Sequence, residues 1–162
     1  MIAGEPWWFA AGGLAPDLGL YLLTAGAAIY FPLARDMSIR EAMDHAFGTL
    51  FFEDRAWIAI QNTLHSPVVL AGLLAAGKIK KSSKLMAFAA GCLLHTAMDI
   101  PVHHNDGPLV FFPFDWEYRF DSPVSYYDRD HFGNIVAPID LAITVLGGAF
   151  LITQRVKNKK LF

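Results

Sequence analysis

The chain holds a single cysteine, Cys92, so no disulfide can form within it, and its place in an apolar run marks it as a small buried hydrophobe. Charge is also scarce. Only 17% of residues are charged while 54% are hydrophobic, against about a quarter charged in average soluble domains. The net charge is -2, and the seven lysines are confined to Lys78–Lys84 and Lys157–Lys160. No basic patch is left elsewhere for a nucleic acid. No internal repeat or low-complexity segment is visible. A cleavable leader is not expected, because Glu5 stands where a positive n-region belongs and Asp17 interrupts the first apolar stretch. These absences leave one class, an all-α integral membrane protein forming a single domain.

Four segments are long or apolar enough to cross a hydrocarbon core, which takes about 20 helical residues. The first covers about 6–31, with Trp7 and Trp8 as interface anchors and a break expected at Pro16-Asp17. The second, 55–77, carries Gln61, Asn62, His65, Ser66 and Pro67 at its middle and must turn that polar face inward. The third, 83–102, opens with small residues suited to close helix contact and ends in His95 and Asp99. The fourth, 135–153, has the cleanest hydropathy and is followed by basic residues. Cytoplasmic loops collect lysine and arginine, so Lys78–Lys84 and the tail from Arg155 to Lys160 predict a bacterial inner-membrane protein with a cytoplasmic C-terminus. Two segments then face outward. Residues 37–52 have Ile39, Ala42, Met43, Ala46, Phe47 and Leu50 at helical spacing opposite Arg40, Glu41 and Asp44, which predicts an amphipathic surface helix. Residues 103–134 are rich in tryptophan, tyrosine and phenylalanine and predict an ordered cap folded back on the bundle.

The densest chemistry lies in HTAMDIPVHHND, residues 95–106. His95 and Asp99 are four residues apart, so one helical face offers an imidazole nitrogen and a carboxylate oxygen together. Ionisable groups within a membrane are costly and are either functional or mutually paired. Helical rise brings Asp17, His65, His95, Asp99 and Asp140 to compatible depths in the outer half of the bundle. Their convergence in one pocket is the central expectation. Each has a plainer alternative: a helix cap at Asp17, carbonyl satisfaction at the Pro67 kink for His65, a dipole-favoured carboxylate at Asp140, and a polar clamp for His95 and Asp99. His103, His104 and His131 could be interfacial or loop histidines.

Together these residues give the chain a resemblance to the membrane-bound metal-dependent hydrolases of the YdjM type, and to small proteobacterial membrane proteins with the same loop. The likeness rests on Ala15-Pro16-Asp17, His65-Ser66, the His95/Asp99 pair and the loop HHNDGPLVFFPFDWEYRFDSPVSYYDRDHFG at 103–133. It implies a divalent-metal site, for zinc, manganese or iron, with Asp17, His65, His95 and Asp99 as ligands. Hydrolysis of a phosphoester or lipid-like bond is the implied activity, with Asp106 or His104 as general base and Arg119 steadying an anionic substrate. The chain departs from the pattern at Gly19, where the hydrolases carry a second acid, and at Gln61-Asn62, near which they carry a further histidine. Two carboxylates and two imidazoles still suffice for one ion with a position open. The rival expectation is a non-catalytic accessory subunit of a larger photosynthetic or respiratory membrane complex, in contact with membrane lipids and docked through its aromatic cap.

Overall fold

The computed structural model describes residues 5–159 and is all-helical, with an isolated Leu109–Arg119 bridge and no β-strand among the described residues. Helix α1 spans Pro6–Arg35 and α6 spans Ser83–Asp99, continued by a 3-10 turn at Ile100–Val102. Both are long and apolar enough to cross a membrane. Between them lie α4 (Arg55–Thr63) and α5 (Pro67–Ile79), which meet at a 48° bend and pass the same test only as a broken pair. Among the described residues there are therefore two or three such segments, where the sequence suggested four.

Local chemistry sets these boundaries. Asp54 caps α4 by accepting from Ala56 and Trp57 amides, Ser66 caps α5 ahead of Pro67 at its first position, and Ser82 caps α6 through the Leu85 amide. Lys81, at φ 51°, closes the tight turn that sends α6 back along α5. The expected break at Pro16-Asp17 is absent: α1 runs through both Pro16 and Pro32 without interruption. Pro16 is buried against the bundle, and neighbouring helices in a membrane can satisfy the carbonyls a proline frees. The kink expected at Pro67 is instead a full break between two capped helices.

Helices α1 and α6 run parallel, since Glu5 accepts from the Ser83 hydroxyl at one end and Gly13 meets His95 further along. They touch backbone to backbone. A Cβ on Gly12 would overlap the Phe88 carbonyl oxygen, and one on Gly91 would overlap that of Phe9 while standing 2.9 Å from Gly13 N. Only glycine permits this approach. The parallel pairing places Trp8 beside Lys84, 5.9 Å from ring centroid to Nζ, so both N-terminal ends and the lysine loop lie at one end of the bundle.

Residues 39–53 form a continuous helical stretch: α2 (Ile39–His45), a π-helical segment (Ala46–Leu50) and the single turn α3 (Phe51–Glu53). A capping box between Ser38 and Glu41 starts it. Of the predicted apolar face, Ala42 and Ala46 are fully buried and Met43 and Leu50 pack on the Ala27–Trp57 cluster, while Ile39 and Phe47 remain exposed. The cap is ordered: Leu109 and Phe112 are buried with Ile58 in a second core cluster. Helix α7 spans Gly133–Lys159, but its apolar part among the described residues, Gly133–Gly147, is shorter than the other crossing segments. It follows directly on the 3-10 turn at Arg129–His131 and brings Asp140 to the wall of a cavity.

Candidate metal centre

The parallel contact of α1 and α6 sets Asp17 across from His95 and Asp99, and the α4–α5 break pushes His65 between them. One ligand atom from each of the four lies within 4.8 Å of all the others. His65 Nε2 is 3.5 Å from both Asp17 Oδ1 and Asp99 Oδ2, and His95 Nε2 is 3.4 and 3.0 Å from the same two oxygens. The imidazole rings cross edge to face, 5.2 Å apart.

Backbone carbonyls fix how each ring presents itself. A carbonyl can only accept, so His65 Nδ1 donates to Gln61 O at 2.6 Å and His95 Nδ1 donates to Gly13 O at 3.0 Å. Each Nε2 is thereby turned toward the carboxylates. In the neutral ring that nitrogen carries a lone pair, the arrangement used by metal-bound histidines whose other nitrogen is held by a carbonyl. Pro16 has no amide to offer the Gly12 carbonyl, and in this same turn, which lies against α6, the next carbonyl, Gly13 O, accepts from His95.

Three of the four contacts are loose for an ion pair and leave the spacing of ligands around a cation. Charge-assisted N–H···O bonds close to about 2.7–2.9 Å, and three of the four contacts here stand at 3.4 Å or more. His95 Nε2 is buried and meets no partner in hydrogen-bond geometry, although Asp99 is 3.0 Å away. Ligands placed 2.0–2.1 Å from a tetrahedral ion stand about 3.4 Å from one another, which matches these nitrogen–oxygen separations. The donor set, two imidazoles and two carboxylates, suits zinc, manganese or iron.

Asp17, His65 and Asp99 lie on the wall of a cavity of about 1010 Å³. Asp106, Arg119 and Asp140 share that wall, so Asp140 is near the cluster but outside its four members. The Arg119 guanidinium rests over Phe51 and Phe52, 5.4 and 5.5 Å from their centroids, and donates to the Gly107 carbonyl. Burial lowers its pKa from the ordinary arginine value, and the charge of Asp106 partly restores it. Burial pushes the Tyr126 phenol, also on the wall, up to about 12.

Of the two expected bases, Asp106 lines the cavity and His104 does not. The His104 Nδ1 faces Ser122 O at 2.7 Å and Asp121 Oδ1 at 3.1 Å, and its ring stacks on His131 with centroids 3.4 Å apart. Its neighbour His103 is the histidine on the wall, with Nδ1 3.0 Å from Asp106 Oδ2. Burial favours the neutral Asp106 acid, but the hydrogen bond and charge of His103 outweigh it and hold the carboxyl below its usual range. Sequence reading took His103 for an interfacial histidine and Gln61 and Asn62 for part of an inward-turned polar face, and gave none of the three a role at the site. No family model, curated protein or solved structure matches this chain.

Proposed function

We propose that this chain is a membrane-embedded hydrolase that holds one divalent metal ion on Asp17, His65, His95 and Asp99 and cleaves a phosphoester or similar anionic, lipid-like ester in the cavity above it. One observation carries this reading: two imidazole nitrogens and two carboxylate oxygens converge at ligand-to-ligand spacing, with His95 Nε2 buried and unpartnered, beside an open cavity. A bound divalent ion would supply Lewis acidity toward a substrate oxygen and toward water. The chain's own groups do the rest. Gln61 O and Gly13 O hold the two imidazoles in orientation. Arg119 places a fixed positive charge on the wall to receive the substrate's anionic group. The His103–Asp106 pair is placed to accept a proton, with Asp106 fixing the orientation of the ring. In this reading the cap and Arg55 end of the bundle face outward, the lysine loop faces the cytoplasm of a bacterial inner membrane, and α7 supplies a further crossing.

The test is metal content by mass spectrometry on detergent-purified protein kept free of chelator, wild type beside His95→Ala and Asp99→Ala. Near-stoichiometric zinc, manganese or iron that disappears in both variants is expected, together with phosphoesterase activity in mixed micelles that follows the metal. Well-folded wild type without metal refutes the hydrolase.

A second reading, an accessory subunit of a larger membrane complex, is favoured by one feature. Helix α7 exposes Ile139, Leu141, Ile143, Val145 and Leu146. Lipid or a partner subunit must cover that surface. Purification at fixed stoichiometry with other membrane proteins would support the subunit.

A further inference from the structure

The break between α4 and α5 is held from the cap. Asn62 and Ser66 flank His65, and both are buried, at 1% and 0% exposure. Asn62 Oδ1 accepts from the Leu109 amide at 2.7 Å, while its Nδ2 donates to Ile58 O at 2.8 Å. Its own carbonyl accepts from the amides of both His65 and Ser66, at 3.2 and 2.9 Å. The Ser66 hydroxyl donates to Phe112 O at 2.6 Å. Leu109 and Phe112 belong to the cap and are themselves buried against Ile58. A second fastening lies on the other ligand helix: just beyond Asp99, Pro101 O accepts from the Ser122 hydroxyl at 2.7 Å and Val102 O from the Tyr126 amide at 3.0 Å.

We infer that Asn62 and Ser66 are positioning residues for the metal centre, fastening the cap to the helix break that carries His65 so that ion binding and cap closure are one coupled event. The inference rests on the proposed metal site. Neither residue is a ligand. Every bond they make beyond their own turn goes to cap backbone, and the segment between them contains only Thr63, Leu64 and His65. If the cap lifts, Asn62 Oδ1 and the Phe112 carbonyl lose buried partners together, and the break loses what sets its angle. His65 then no longer converges with Asp17 and Asp99. Because coupling free energy is reciprocal, an ion that requires His65 in place must stabilise the closed cap by the factor through which the closed cap favours the ion.

The test compares wild type, Asn62→Ala and Ser66→Ala with Phe31→Ala, a control in the remote Ala27–Trp57 cluster that removes packing without touching the cap. All are full-length and detergent-solubilised, and are compared at a temperature where each remains folded by circular dichroism. Zinc affinity is measured by competition with a chromogenic chelator. Loss of a residue that holds a metal ligand in place typically weakens metal binding by about tenfold to a hundredfold, so Asn62→Ala and Ser66→Ala are expected to lose about tenfold or more while Phe31→Ala stays near wild type. In parallel, zinc is expected to slow chymotryptic cleavage within residues 103–134 of wild type and to lose that protection in Asn62→Ala. Wild-type affinity in both cap variants, or equal loss in Phe31→Ala, overturns the inference and leaves the metal site standing. A wild type that binds no ion removes the proposed function and this inference together.

Discussion

Replacing Gly91 by alanine tests whether the α1–α6 contact builds the site. An ideal Cβ there would stand 2.9 Å from Gly13 N and nearer still to Phe9 O, where ordinary contact begins at 3.4 Å. The helices must therefore part by about half an ångström or more at this point. His95 is one turn along α6 from Gly91 and Asp17 one turn along α1 from Gly13, so the opening passes to the nitrogen–oxygen gap between them, now 3.4 Å. Metal–ligand distances tolerate about 0.2 Å, so the displacement exceeds what a four-ligand set absorbs without losing a member. Loss of one ligand is expected to weaken zinc binding by well over tenfold, and overpacking to cost about 1–3 kcal/mol of stability. Gly26→Ala and Gly72→Ala are the matched controls, because a Cβ at either meets nothing within 4 Å. Removing glycine from a helix interior favours the helix by about 0.5–1 kcal/mol, so these two should melt no lower than wild type and bind zinc normally. Chelator-competition titration and thermal unfolding in one detergent would decide. A Gly91→Ala protein with wild-type zinc affinity and melting temperature refutes the claim that close backbone approach positions the ligands.

Further outcomes follow from the cap and the charge pattern. Arg119→Lys keeps a positive charge but loses the planar group stacked on Phe51 and Phe52; the KM for an anionic ester in mixed micelles is expected to rise severalfold, and an unchanged KM removes Arg119 from substrate binding. Asp106, whose carboxyl is held below its ordinary value of 3.8, contributes stability that is complete above that pH and is lost as pH falls through its lower folded value. Cleavage of the cap by an acid protease such as pepsin should therefore rise below about pH 4 in wild type and lose that part of its pH dependence in Asp106→Asn. For orientation, single cysteines in place of Lys80 and Asp115 on a Cys92→Ala background are expected to differ in sealed spheroplasts, with only the Asp115 position labelled by an impermeant thiol reagent. Labelling of both at equal rates overturns the assigned sides.

The helical architecture was legible because long apolar runs and Ser or Asp caps are local signals. The break at His65 and the continuity at Pro16 were not, since both depend on neighbours. Pro67 alone allows a kinked or a broken helix, and what selects the break is a set of bonds to Leu109 and Phe112, more than forty residues away in sequence. Pro16 alone suggests a break, but its turn lies against α6, where His95 occupies the Gly13 carbonyl. Convergence of Asp17, His65, His95 and Asp99 could be anticipated because ionisable groups in apolar helices at matching depth have few other places to go.

The choice between His103 and His104 shows where such reasoning stops. Spacing along a regular helix fixes which residues share a face, and it correctly paired His95 with Asp99. Past Asp99 the chain tightens into the 3-10 turn Ile100–Val102, and His103 leaves it in extended backbone at φ -119° and ψ 119°. Adjacent residues in extended backbone point to opposite sides, so only one of two neighbouring histidines can face the cavity. His103 does, and His104 is turned to Ser122, Asp121 and His131. The phase is set by the Ser122–Pro101 and Tyr126–Val102 bonds, which pin the turn to a distant part of the cap. Under the proposed mechanism His103→Ala should therefore abolish most turnover while leaving zinc content intact. His104→Ala should leave turnover nearly unchanged and act, if at all, on the stability of the His104–His131 stack. Equal loss of turnover in the two variants, at equal zinc content and equal melting temperature, would show that the cavity-facing ring is not the proton acceptor.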